Sequence, residues 1–116
     1  MDFAFDQKTE ELRERLLAFM DECVYPAEVP FRDQVHSAEN PWGTPPIIEE
    51  LKAEARSRGL WNLFLPASHA YGAGLTNLQY APLAEITGRN PWIAPEALNC
   101  SAPDTGNMEL LSLFGS

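Results

Sequence analysis

The sequence predicts an all-α fold, a multi-helix bundle with one long proline-rich connection, occupying residues 1–116 as a single domain. Three observations predict it. Apolar residues recur at helical spacing in four separate stretches, prolines and glycines punctuate the segments between them, and the one short apolar run has no partner strand nearby. A chain of 116 residues has room for one domain and buries about two-thirds of the surface it exposes when unfolded.

The first helix is read over Thr9 to Val24. Leu12, Leu16, Leu17, Phe19, Met20, Cys23 and Val24 lie along one stripe of a 3.6-residue period. Glu10, Glu11 and Glu14 crowd the turns where the helix dipole favours negative charge. Asp6 or Thr9 is placed to cap it, and Pro26 marks its end. Residues 25–46 hold Pro26, Pro30, Pro41, Pro45 and Pro46, a density that precludes a long helix or a central strand. They read as an extended linker pinned to the domain by Tyr25, Phe31 and Trp42.

Thr44 is placed as the N-cap of a second helix, with Pro45 first inside it and Arg58 at its end. Ile47, Ile48, Leu51 and Ala55 form its apolar face, and Glu49, Glu50, Lys52, Arg56 and Arg58 match the two ends of the dipole. Gly59 occupies the left-handed position after the cap, with Leu60 as the closing contact. The run Leu60 to Pro66 fits a buried strand, a packed loop or a short helix equally. Residues 67–74 are loop. Thr76 caps a helix to Thr87 with Leu78, Ala81, Leu83 and Ile86 inward, a kink at Pro82 and a stop at Gly88. After Pro91, Trp92 and Pro95, a final helix is capped by Asp104 and carries Met108, Leu110, Leu111, Leu113 and Phe114, an unusually apolar ending.

Composition excludes several functions. There are 17 acidic and 8 basic residues, a formal charge of −9. Nucleic acid and anionic membrane surfaces both select for Lys and Arg, so neither is an expected partner. No apolar run approaches the roughly 18 residues of a membrane span. The N-terminus, Met1 to Asp6, lacks the basic and apolar regions of an export signal. Cys23 and Cys100 therefore read as reduced thiols of a cytoplasmic protein.

The residues offer no self-contained chemistry. Cys23, His36, His69 and Cys100 are scattered singly, without metal-ligand spacing, so no metal is expected. No local signal supports a nucleophile with a His base. Gly72-Ala73-Gly74 lacks the third glycine and the strand–helix setting of a dinucleotide loop. Asn99-Cys100-Ser101 fits a glycosylation pattern that has meaning only after export. Asp104-Thr105-Gly106 matches the aspartic-protease triplet, but Ala102 and Pro103 precede it where that chemistry needs a strand. Nothing pairs or desolvates Glu85, Glu96 or Glu109 as a general base requires. No catalytic residue is assigned.

Order and spacing along the whole chain carry a resemblance. Thr9-Glu10-Glu11-Leu12 opens a helix closing on Tyr25-Pro26. Pro46-Ile47-Ile48-Glu49-Glu50-Leu51-Lys52 leads to Gly59-Leu60-Trp61 and Leu65-Pro66, and Gly74-Leu75-Thr76-Asn77-Leu78 opens a helix ending at Gly88-Arg89. The stretch from Ala94 through Asn99-Cys100-Ser101-Ala102-Pro103-Asp104-Thr105-Gly106-Asn107 to Glu109 is the most specific. In these features the chain resembles the N-terminal helical domain of the acyl-CoA dehydrogenases, in the branch of members ten and eleven of the human set.

The resemblance implies an enzyme several times longer. A β-domain would hold FAD, and a C-terminal bundle would supply the glutamate that takes the α-proton of an acyl-CoA while the β-hydride passes to the flavin. This segment would cover the flavin and help wall the acyl pocket, and alone it would be inactive. By alignment, Leu98, Asn99, Ser101, Ala102, Asp104 and Thr105 fall nearest the acyl chain, although helix packing explains the same small residues as well. Such enzymes are typically dimers or tetramers, so a homo-oligomer is expected. The competing reading is a stand-alone helical interaction module that completes a separately encoded partner.

Overall fold

The computed structural model describes residues 2–116; Met1, part of the N-terminal stretch read for export signals, lies outside them. Six α-helices are described: α1 (Gln7–Phe19), α2 (Tyr25–Ser37), α3 (Pro46–Ser57), α4 (Asn77–Thr87), α5 (Ala94–Ala97) and α6 (Asp104–Phe114), with no strand among the described residues. The bundle is all-α, as the sequence predicts.

Asp6 rather than Thr9 caps α1. Its Oδ1 accepts the Thr9 backbone N–H at 2.8 Å and its Oδ2 accepts Gln79 Nε2 at 2.9 Å, which ties the start of α1 to α4. Thr9 itself is buried beneath that turn. The Thr9 backbone bond, followed by the Gln79 amide, holds the Asp6 carboxyl below the usual aspartate value. A carboxylate with a depressed folded-state pKa stabilises above its unfolded pKa and loses that contribution as pH falls through the folded one. Asn at this position still caps but carries no charge. Asp6→Asn is therefore expected to be less stable than wild type near neutral pH, with the gap closing as pH falls below about 4. Urea unfolding at several pH values checks this.

The helix does not stop at Pro26. A π-helical turn, Met20–Val24, joins α1 directly to α2, which contains Pro26 in its first turn and Pro30 inside it. In the π turn the Tyr25 N–H reaches back five residues to the Met20 carbonyl. That wider turn makes room where the Pro26 ring would otherwise crowd the preceding backbone. Pro26 and Pro30 are both on the exposed face, so water can serve the carbonyl left without a donor. The π turn also keeps Leu12, Leu16, Phe19, Met20, Val24 and Ala27 on one continuous buried stripe. The proline-rich connection thus shrinks to residues 38–45. Tyr25 and Phe31 pack against the core from α2, but Trp42 is 93% exposed and pins nothing.

Helix α3 starts one residue later than Thr44 and Pro45 suggest. Pro46 is its first residue, Pro45 precedes it, and no side chain of its own segment caps it. Gln34 of α2 does so from outside, its Oε1 accepting the Ile47 N–H at 3.0 Å. A cap supplied across 13 residues leaves no local trace. The C-terminus follows expectation. Gly59 has φ +70°, its N–H bonds the Arg56 carbonyl at 3.1 Å, and Leu60 N–H bonds the Ala55 carbonyl at 2.9 Å with its side chain fully buried.

The run after Leu60 is a series of turns, and only an isolated bridge between Pro66 and Leu75 pairs any of it. Thr76 caps α4 through a full capping box with Gln79. Leu83 and Ile86 face inward, but Leu78 is 84% exposed and Ala81 is exposed too. At 3.6 residues per turn they stand roughly 140° and 160° round the helix from Leu83, which fixes the buried side. Asp104 is not the cap of α6. Pro103 holds that position without a side-chain bond, and Asp104 already lies in the first turn, where its charge suits the dipole.

Candidate functional site

The segment that joins α5 to α6 and the first turn of α6 carry the six residues that the resemblance suggests for an acyl chain. It begins from a firm base. Asn90 Oδ1 accepts the Ile93 N–H at 2.9 Å while its amide donates to Glu28 Oε1 of α2 at 2.8 Å, fixing the approach to α5. Leu98, just past α5, is buried among the core leucines. Asn99, Ser101 and Thr105 are half-buried, and Ala102 and Asp104 are exposed. The Thr105 N–H bonds the Ser101 carbonyl at 3.3 Å, so the first turn of α6 folds back on this stretch. The six residues lie along one connection and the helical turn that follows it rather than around one cavity.

A cleft of roughly 240 Å³ opens beside them, lined by Asn62, Leu65, Tyr71, Met108, Leu111 and Ser112. Sequence reading singled out neither Asn62 nor Ser112 as functional. Asn62 and Asn99 both adopt left-handed backbone, φ +60° and +59°. Asn99 Nδ2 donates to Asn62 Oδ1 at 2.6 Å and lies 3.3 Å from Met108 Sδ. Buried His69 holds α6 at a second point, with Nδ1 2.8 Å from Ser112 Oγ. An asparagine between apolar neighbours, as in Trp61-Asn62-Leu63 and Leu98-Asn99-Cys100, was the available signal, because Asn tolerates the left-handed region.

The remaining polar groups are engaged elsewhere. Glu96 pairs with Lys52 at 3.1 Å, and Lys52 also reaches Glu49 at 3.1 Å. Partial burial opposes the Lys52 charge, but the two carboxylates together raise its pKa. Burial pushes up the Cys100 thiol and the neighbouring Tyr80 phenol. Cys23 is also raised by burial, with Arg58 at 3.4 Å pulling the other way. Both cysteines are free thiols held in their protonated, weakly nucleophilic form. Among the described residues no three His, Cys, Asp or Glu side chains converge as metal ligands.

A Cβ at Gly72 would lie 2.8 Å from Leu65, so this glycine serves close packing of a loop, not approach to a phosphate. Lys8 Nζ, the cation beside that loop, is bonded to the Ala73 carbonyl at 2.9 Å. No chemical step through FAD is assigned to this chain. No described helix is long and apolar enough to cross a membrane.

Helix α6 has no buried residue. Leu110, Leu111, Leu113 and Phe114 are between 57% and 77% exposed, with exposed Tyr71 on the loop beside the cleft. Such a contiguous apolar face marks an interaction surface.

No protein-family model matches the chain. Individual proteins do. It is 57% identical to acyl-CoA dehydrogenase FadE2 of Mycobacterium tuberculosis, over all of this chain and 28% of that protein. It is 47% identical to acyl-CoA dehydrogenase family member 10 of Mus musculus, over 91% of the chain and 10% of that protein. Human family member 11 is 43% identical over 98% of the chain, which spans 14% of it. A solved structure described as an acyl-CoA dehydrogenase, from Mycobacterium abscessus, superposes with a TM-score of 0.81 at 42% identity. It matches 98% of this chain and 30% of its own. The chain thus spans less than a third of each of these relatives. By sequence and by fold alike, this chain is homologous along its length to a segment of the acyl-CoA dehydrogenases, including family members 10 and 11.

Proposed function

We propose that this chain is the N-terminal helical domain of a longer, FAD-dependent acyl-CoA dehydrogenase, a cytoplasmic homo-oligomer that desaturates acyl-CoA thioesters between the α and β carbons. The single observation that supports this best is full-length identity of 57% to a protein of which the chain spans only 28%. In this reading the chain supplies no catalytic residue. It covers the flavin's substrate side, and the connection carrying Leu98, Asn99, Ser101, Ala102, Asp104 and Thr105 walls the acyl pocket. The exposed face of α6 is where the rest of the polypeptide packs.

The test is to purify the polypeptide that contains this sequence from its own organism and add acyl-CoA. The reading expects a bound flavin whose visible absorbance bleaches on adding acyl-CoA, while the 116-residue chain with added FAD shows neither effect. Oxidation of acyl-CoA by the short chain alone, or no flavin in the native protein, overturns it.

A further inference from the structure

Among the described residues, the pair Asn62 and Asn99 is the one place where two non-glycine residues in left-handed backbone meet. Each such residue is held against an intrinsic preference for other backbone regions, and surroundings that enforce this cluster at sites with a geometric task. Here the enforcement is mutual. The 2.6 Å bond from Asn99 Nδ2 to Asn62 Oδ1 bridges 37 residues of chain, and the Asn62 N–H returns to the Leu98 carbonyl at 3.4 Å. Met108 Sδ, 3.3 Å from the same Nδ2, brings α6 into the contact. Three pieces of structure therefore meet at one amide pair: the turn after Leu60, the end of α5, and α6.

No residue of α6 is fully buried, and only Thr105, Met108, Glu109 and Ser112 are half-buried. Its position rests on that partial burial, on this pair and on the His69–Ser112 bond. The amide nitrogen of Asn99, engaged with Asn62 and Met108, faces its own fold rather than a ligand.

We propose that Asn62 and Asn99 are positioning residues, a clamp that fixes the 98–105 connection as a wall of the acyl pocket and thereby sets how long an acyl chain the pocket accepts. The clamp rests on the acyl-CoA dehydrogenase reading above. It moves Asn99 from a residue that touches substrate to one that acts through Ser101, Ala102 and Thr105.

The experiment places Asn62→Gly, Asn99→Gly, the double variant and Asn99→Asp in the full polypeptide of the native organism. Glycine keeps the left-handed backbone while removing the amide. kcat and KM are measured with short, medium and long straight-chain acyl-CoAs. Each glycine variant is expected to raise KM for long chains roughly tenfold, because a wall displaced by a fraction of an ångström misplaces the substrate. The kcat on short chains should change much less. The double variant should be no worse than the poorer single one, since both remove the same bond. Asn99→Asp, whose carboxylate accepts from the Asn62 amide after that amide rotates, should recover most of the loss. A merely structural role would lower activity on all chain lengths alike. Wild-type KM values in the glycine variants, or penalties that multiply in the double variant, overturn the clamp. If the glycine variants fail to fold, the decision passes to Asn99→Asp and the paired Asn62→Asp/Asn99→Asp variant, in which two carboxylates face each other and the bond is lost: a long-chain penalty in the pair that the single variant lacks supports the clamp, and a wild-type profile in the pair overturns it. An inactive wild type would sink both this proposal and the parent reading, whereas an active wild type with unaltered variants sinks the clamp alone.

Discussion

Phe19→Ala is expected to destabilise the folded chain by about 3–5 kcal/mol, the range for deleting a buried aromatic side chain. Phe19 is fully buried where α1 passes into the π turn, and it shares the core stripe with Leu16, Met20 and Val24. Its ring also lies 5.8 Å beneath the guanidinium of Arg58, the residue at the C-terminal cap of α3, so the loss reaches a second element. Domains of this size are stable by only about 5–15 kcal/mol. The substitution therefore removes about a fifth of the stability or more. Urea unfolding followed by far-UV circular dichroism reads it as a lower midpoint at unchanged slope. A loss below about 1 kcal/mol, well under the range for such deletions, would mean that the π junction does not organise the core.

The second large effect lies on α6. Leu111 and Phe114 are 67% and 77% exposed, within the apolar face they share with Leu110 and Leu113. The isolated chain is expected to self-associate through that face. Replacing both residues with lysine removes about 3–6 kcal/mol of apolar burial from any such contact. That corresponds to at least a hundredfold weaker association. Sedimentation velocity over a concentration series should show oligomers for wild type and a monomer for the double variant. A wild-type chain that stays monomeric at high concentration contradicts the assignment of α6 as a contact surface.

What was legible in the sequence was local. The stripe of α1, the Schellman closure at Gly59 and Leu60, and the Thr76–Gln79 capping box are each written within a few residues. What was not legible depended on other parts of the chain. Pro26 stops an ordinary α-helix, and only the π turn before it, selected by the need to keep Phe19, Met20 and Val24 buried together, carries the helix through. The α3 cap comes from Gln34 on another helix. Leu78 and Ala81 look inward by composition, but the packing of Leu83 and Ile86 turns them to solvent. At the candidate site, the resemblance supplied residues 98–105 as an expectation. The Asn62–Asn99 contact across 37 residues needed the fold.

The most direct test is the intact mass of the polypeptide carrying this sequence, isolated from its own organism and read by mass spectrometry. A mass several times 12.9 kDa, on one chain that retains flavin, is the expected result. A mature polypeptide of 12.9 kDa would contradict it, and would leave a helical module whose α6 face completes a separately encoded partner.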